Sequence, residues 1–261
     1  MRKTLFILTI LALSLPIKNI GEAADIEKDL LLYLPLDEGK GDTIKDASKK
    51  GFEGKGVNTK WAKGKFGNAL EFNGTDSHAE IPGGVIAKLP NNEITMIAWF
   101  KLTGHDGYDG IVSMTGVLAP IGGQCCQYRI MVNPAMNPFF DVGEHADVAV
   151  PGFTFELKTW YHYALTYDGK DVKIYVDGEV VHEMSKGVKL PEFETPVLLG
   201  TGEAPKVHPT QGIIDEVWIF NRALSKDEIK AIMEEGPMVL SVELADKLST
   251  TWGEIKGSYK D

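Results

Sequence analysis

Hydrophobic and polar positions alternate along most of this chain with the period of two that marks strands half buried in a sheet. The clearest run is Glu93 to Leu102. Ile94, Met96, Ala98 and Phe100 fall on one face, and Thr95, Ile97, Trp99 and Lys101 on the other. Both faces are partly apolar, as in a strand inside a sandwich. Trp160 to Tyr167 and Val172 to Val176 repeat the pattern across the turn Asp168-Gly169-Lys170-Asp171, and Asp177-Gly178 turns the second run into Glu179 to Glu183. Asp-Gly between alternating runs is a strong hairpin signal. Leu30 to Leu36, Gly67 to Phe72, Ser77 to Ile81, Ile111 to Thr115 and Thr195 to Gly200 read as further strands, with Asn73-Gly74-Thr75-Asp76 as a hairpin turn. From Gly116 to Glu156 the alternation weakens. There Tyr128 to Val132 and Phe139 to Val142 read as short strands, and Gly122 to Cys126 and Asn133 to Pro138 as loops.

The last strand is Gly212 to Phe220. It is rich in β-branched and aromatic residues, which suit a buried pleated surface, yet Asp215 and Glu216 interrupt it with charge. As neighbours in a regular strand, those two carboxylates point to opposite faces. Ser225 then precedes Lys226-Asp227-Glu228-Ile229, an N-cap with acidic residues in the first turn, and Gly236-Pro237 stops the segment. The pattern predicts an all-β fold, an antiparallel jelly-roll β-sandwich with one short C-terminal helix over Ser225 to Glu235. Residues 237–261 form a C-terminal tail outside the pattern.

Before the first strand the pattern is of another kind. A basic start, Met1-Arg2-Lys3, leads into eleven apolar-rich residues from Leu5 to Leu15, followed by Gly21-Glu22-Ala23. This reads as a signal peptide over 1–23, cleaved after Ala23, because its apolar core falls within the usual about 7–15 residues. It is too short to span a bilayer, which takes about 20 residues. The expected location is therefore secreted, periplasmic or extracellular, with no membrane span. Cleavage removes Arg2, Lys3, Lys18 and Glu22, a net +2, and moves the formal charge from −10 to −12. So acidic a domain is a poor partner for nucleic acid or an anionic membrane.

The two cysteines, Cys125 and Cys126, are adjacent. Neighbouring Cα atoms lie about 3.8 Å apart, below the usual disulfide range of about 4.4–6.8 Å. A vicinal disulfide is thus strained, while an oxidising compartment favours it; that bridge, two free thiols and an intermolecular bond all stay open.

The chain resembles LamG-like jellyroll domains of the concanavalin A-like lectin/glucanase superfamily over about residues 30–236. The words that carry the resemblance are Leu36-Asp37-Glu38-Gly39 with Asp46-Ala47-Ser48, then Gly67 to Gly74, Ile94 to Phe100, Trp160 to Gly169, and Ile214-Asp215-Glu216-Val217 through Asn221-Arg222-Ala223-Leu224-Ser225, in that order. The resemblance implies a structural calcium where the first and last strands meet. Asp37 and Asp215 are the matching carboxylates, and the turn at Asn73 can add oxygens toward the about 6–8 that calcium takes.

Catalytic constellations are missing. No Glu-x-Asp-x-x-Glu run places two carboxylates on one strand face for glycoside hydrolysis, and there is no Gly-x-Ser-x-Gly elbow or second His of a zinc-protease word. Sugar sites place aromatic faces beside polar groups, and the candidates in loops are Trp61, His105, Tyr108 and Phe139. The reading that results is a secreted, non-enzymatic binding or adhesion module for extracellular glycan or glycoprotein, with a structural calcium. The competing readings are a cell-envelope interaction domain without a sugar ligand, and a polysaccharide hydrolase or lyase.

Overall fold

The two-faced run at Glu93 to Leu102 is where the architecture is easiest to see. We describe a computed structural model covering residues 26–85, 89, 91–117, 124–144, 147–190 and 194–237, with backbone alone for 116–117, 124–127 and 144. The reading of 1–23 as a signal peptide and most of the tail over 237–261 lie outside these residues. Among them Ile94–Leu102 forms a strand whose Ile94, Met96, Ala98 and Phe100 enter the core between two sheets, while Ile97 packs outward under a helix.

In chain order the strands are β1 (Leu30–Leu34), β2 (Thr43–Lys45), β3 (Glu53–Val57), β4 (Lys60–Lys63), β5 (Asn68–Asn73), β6 (His78–Ile81), β7 (Ile94–Leu102), β8 (Asp109–Val117), β9 (Gln124–Val132), β10 (Pro138–Glu144), β11 (Val148–Ala149), β12 (Tyr161–Tyr167), β13 (Asp171–Val176), β14 (Glu179–Ser185), β15 (Val197–Leu199) and β16 (Gln211–Phe220), followed by helix α1 (Lys226–Glu235). Their pairings are antiparallel. The first sheet runs β14-β13-β12-β7-β16-β5-β4 with β1 beside β16, and the second runs β11-β10-β9-β8-β15-β6-β3-β2. Leu70, Phe72, Phe100, Tyr128, Phe140 and Tyr163 are among the large side chains that fill the space between the sheets. This is the all-β sandwich that the alternation predicts.

The helix forms where the cap predicts it. Ser225 accepts from the Glu228 backbone N–H, and Glu228 closes a capping box on the Ser225 backbone. Such a cap contributes about 1 kcal/mol. Arg222 then ties Glu228 to Asp29 beside the first strand. At the other end Gly236, with φ +52°, lets the chain leave the helix against the Phe66 ring. Ile229 and Ile232 cover Ile97, Ala164, Tyr175 and Trp218 on the outer face of the first sheet, and Tyr33 stacks on Trp218 with ring centroids 3.6 Å apart.

Two local expectations change. The weak segment after Gly116 contains two of the longer strands, β9 and β10, each extended beyond the short runs read there, and the backbone of Cys125 and Cys126 belongs to β9 rather than to a loop. Hydropathy alternation fails there because the outer face carries charged groups that are themselves buried: Arg129 is 2% exposed and Asp141 0%. Around residue 215 the strand is not regular. The partner of β16 switches from β5, over Gln211 to Ile214, to β1, over Val217 to Phe220. A bulge at the switch puts Glu216 at φ +51°, so the period of two breaks between the two acids.

Candidate functional site

On the outer face of the second sheet, Ser113, Arg129 and Asp141 lie in one row across β8, β9 and β10. The row is held by charge. Arg129 Nε donates to Asp141 Oδ2 at 2.8 Å, and its Nη2 lies 2.7 Å from the same oxygen. Nη1 donates to Glu203 Oε1 at 2.8 Å, and Nη2 also donates to Asp147. Asp147 and Glu203 keep 52% and 22% of their side chains exposed, so the cluster is rooted in the sheet and opens to solvent at its rim.

The loop that brings Glu203 here is itself tied down. Ser113 Oγ donates to the carbonyls of Thr201 and Gly202, and Thr201 Oγ1 donates to those of Ala204 and Val207. The Gly110 N–H reaches His208 O at 3.0 Å. Beside the charges stands a ring cluster. Tyr108 lies 5.0 Å from both Phe139 and His208, and the Arg129 guanidinium sits 5.6 Å from the Phe139 centroid. Burial pushes the His208 pKa down; Arg129 adds to this, while Glu203 and Asp147 oppose it.

The aromatic candidates divide accordingly. Tyr108 and Phe139 meet in this patch, Tyr108 half-buried and Phe139 buried. His105 is used at its border: Nδ1 lies 2.5 Å from Asp109 Oδ2 and Nε2 3.4 Å from Pro134 O, so the ring staples two loops together. Burial raises the Asp109 pKa, against the lowering effect of His105. Trp61 is elsewhere, on β4 of the other sheet, with its Nε1 donating to Gly41 O at 2.8 Å. Sequence reasoning missed Arg129, Asp141, Asp147, Glu203 and His208. The signal for the first was a lone arginine between Tyr128 and Ile130 in a strand.

A second cluster gathers around the turn between β4 and β5. Asp37 Oδ1 accepts from the Asn68 N–H at 2.7 Å, and Asp215 Oδ2 accepts from the N–H groups of Lys65 and Phe66 at 2.8 and 3.1 Å. Gly67, at φ +45°, permits this approach, because a Cβ there would stand 2.0 Å from Asp37 Oδ1. Glu216 joins the cluster, contrary to the opposite-face expectation, since the bulge resets the alternation. Its Oε2 accepts from Tyr33 Oη at 2.9 Å, and the charges of Asp215 and Asp37 act on it. Burial, foremost, raises the Asp215 pKa to about 7 and that of Glu216 to about 8. Asp215 Oδ1 and Glu216 Oε1 are buried without a well-formed hydrogen bond, although the Glu216 N–H and the Trp218 indole stand close enough to lower the Asp215 and Glu216 pKa values respectively. Both ring nitrogens of nearby His162, whose pKa burial lowers to about 3, are left over as well.

Asn73 is not part of this cluster. It lies at the far end of β5, about 17 Å from Asn68 at the usual rise per strand residue. Its Oδ1 accepts the N–H groups of Thr75, Asp76 and Ser77 within its own turn. Among the described residues no three His, Cys, Asp or Glu side chains are arranged to hold a metal ion. Within this cluster the buried side-chain oxygens left over among the described residues are Asp215 Oδ1 and Glu216 Oε1, fewer than the about 6–8 that calcium takes. The residues present therefore do not complete the calcium site that the resemblance implies.

A family model described as "Concanavalin A-like lectin/glucanases superfamily" (Laminin_G_3) matches residues 73–230, more than half of the chain. The chain belongs to this superfamily. Among solved structures, this concanavalin A-like domain is similar to domain 4 of AbnA, an extracellular arabinanase from Geobacillus stearothermophilus, in complex with arabinotriose. The TM-score is 0.62 at 17% identity, covering 79% of this chain and 98% of that one. Trypanosoma rangeli sialidase in complex with sialic acid gives TM-score 0.62 at 18% identity, covering 81% and 34%. The binding domain of botulinum neurotoxin DC in complex with SialylT gives 0.59 at 13%, covering 80% and 52%. At these identities the likeness is one of fold. No curated protein matches the chain in sequence.

Proposed function

We propose that this chain is an exported, non-enzymatic binding module for glycan or glycoprotein, and that its ligand lies on the outer face of the second sheet. The observation that carries the reading is the patch where the Tyr108, Phe139 and His208 rings stand beside carboxylates held by Arg129. Sugars present C–H faces to rings and hydroxyls to fixed acceptors, and such sites combine apolar walls with a few placed polar groups. The similar folds solved with arabinotriose and SialylT support a sugar over another small ligand. A glycosidase needs one carboxyl that gives a proton to the leaving oxygen. Here Asp141, Asp147 and Glu203 all accept from one guanidinium, which suits holding rather than cleaving. The calcium implied by the resemblance is not used in this reading.

The test is an array of oligosaccharides followed by calorimetry on residues 24–261. At least one sugar binds, Tyr108→Ala and Glu203→Gln each weaken it at least tenfold while cooperative melting shows a folded domain, and Trp61→Ala leaves it unaltered. A protein that binds no sugar, or whose binding depends on Trp61, sinks the proposal. Release of reducing ends from a bound polysaccharide would show an enzyme instead. Export is checked separately: the protein recovered outside the cytoplasm begins at Ala24, and an intact Met1 there refutes the cleaved leader.

A further inference from the structure

We propose that the patch selects uncharged oligosaccharides and rejects glycans that carry sialic or uronic acids; this rests on the binding reading just given. The reason is the state of Arg129. Recognition of a carboxylate by protein usually needs a guanidinium fork with donors to spare. Here all three guanidinium nitrogens lie within 2.8 Å of a carboxylate oxygen of Asp141 or Glu203, and the same group also bonds Asp147. The Arg129 side chain is 2% exposed, so an acid arriving from solvent cannot reach it without first displacing Glu203 or Asp147.

The charge count points the same way. Among the described side chains that bond or stack in the patch, Arg129 supplies one positive charge against three negative ones from Asp141, Asp147 and Glu203, a net −2. The neighbouring ring, His208, does not offset this charge, because burial lowers its pKa and disfavours its charged form. The two acids at the exposed rim are the first groups a ligand meets, and like charges brought together across an interface are strongly unfavourable. The chain as a whole carries −10, so its long-range field also opposes an anion. A neutral sugar avoids all three penalties, and its hydroxyls can donate to the rim carboxylates while its apolar face lies on Tyr108.

The probes are matched pairs: lactose and sialyllactose, and a neutral xylo-oligosaccharide and its glucuronic acid-bearing counterpart, with arabinotriose as a further neutral sugar. They are titrated into wild type and into the double variant Asp147→Asn with Glu203→Gln. Both substituted side chains are partly exposed and keep their shape, and melting curves confirm the fold. Wild type binds the neutral member of a pair at least tenfold more tightly than the acidic one. The double variant binds the acidic member more tightly than wild type does and brings the ratio below about threefold, because it removes two negative charges and frees part of the Arg129 fork. A ratio narrowed only by weaker binding of the neutral member counts against the selectivity. Equal or tighter binding of the acidic member by wild type overturns the selectivity while leaving the binding reading intact. So does a ratio that the double variant leaves unchanged. Binding of no probe of either kind, together with an empty array, overturns the binding reading and the selectivity with it.

Discussion

Replacing Arg129 by leucine lowers the stability of this domain by about 3–5 kcal/mol, the usual loss when one partner of a buried ion pair is removed. Leucine retains part of the packing against Phe139. It leaves Asp141, which is 0% exposed, without its guanidinium partner between β9 and β10. It also removes the group that draws the Glu203 loop onto the sheet. At about 2–4 °C per kcal/mol for a domain of this size, the melting temperature falls by roughly 6–20 °C. Urea denaturation of Arg129→Leu, Asp141→Asn and the double variant forms a cycle that isolates the pair. The double variant recovers much of the loss, because the buried carboxylate that has lost its guanidinium is replaced by a neutral amide. A loss below 1 kcal/mol in the single variant would mean that water reaches Asp141 and that the row is not the anchor described above.

The second large effect is a stability that falls as the solution becomes more alkaline. Asp215 and Glu216 have folded pKa values of about 7 and about 8, against ordinary values of 3.8 and 4.5. Above the ordinary values the unfolded chain has released both protons while the folded chain still holds them. The folded state then binds more protons, and stability declines with rising pH by up to about 1.4 kcal/mol per unit for each carboxyl. The stabilising contribution is complete below about pH 4 and lost once pH passes about 8. His162 acts in the other direction. Its folded pKa is about 3 against 6.5, so it favours folding increasingly as pH rises between those values. The decline is therefore cleanest between about pH 6.5 and 8.

Asp215→Asn with Glu216→Gln keeps the shapes and removes the titration. The variant and the wild type are compared at each pH, so His162 cancels. Their difference grows steadily in favour of the variant, reaching several kcal/mol at pH 8.5 on the same scale. A constant difference from pH 5 to 8.5 would refute a proton-held pair. Chelator separates protons from calcium. With protons as the neutralising partner the melting temperature at pH 7.5 is unmoved by chelation. Calcium bound to the folded state would make it fall, and added ion would restore it.

How much of this was legible beforehand depends on the range of the interactions involved. The hairpin at Asp177-Gly178 and the cap at Ser225 rest on residues within four positions of one another, and both stand where the pattern places them. Tyr108 and Phe139 were recognised singly as ring candidates, yet their meeting depends on β8, β9 and β10 lying side by side. Nothing near Arg129 in the chain announces Glu203, 74 residues away, and nothing near Asp215 announces the amides of Lys65 and Phe66, about 150 away. Trp61 looked as suitable as Tyr108 until the fold put it on the other sheet.

The sequence by itself determined the all-β class, the faces of β7 and the start and stop of α1, because side-chain period and capping are local properties of the chain. The tertiary structure alone decided which candidates share a site. It carried Asn73 to the far end of β5, and it gathered Arg129, Asp141, Asp147 and Glu203 around the Tyr108 and Phe139 rings. It also set Asp215 and Glu216 in one cluster. A single bulge, placed where β16 exchanges β5 for β1, shifts the period by one residue, and a rule of strict alternation has no means of foreseeing it.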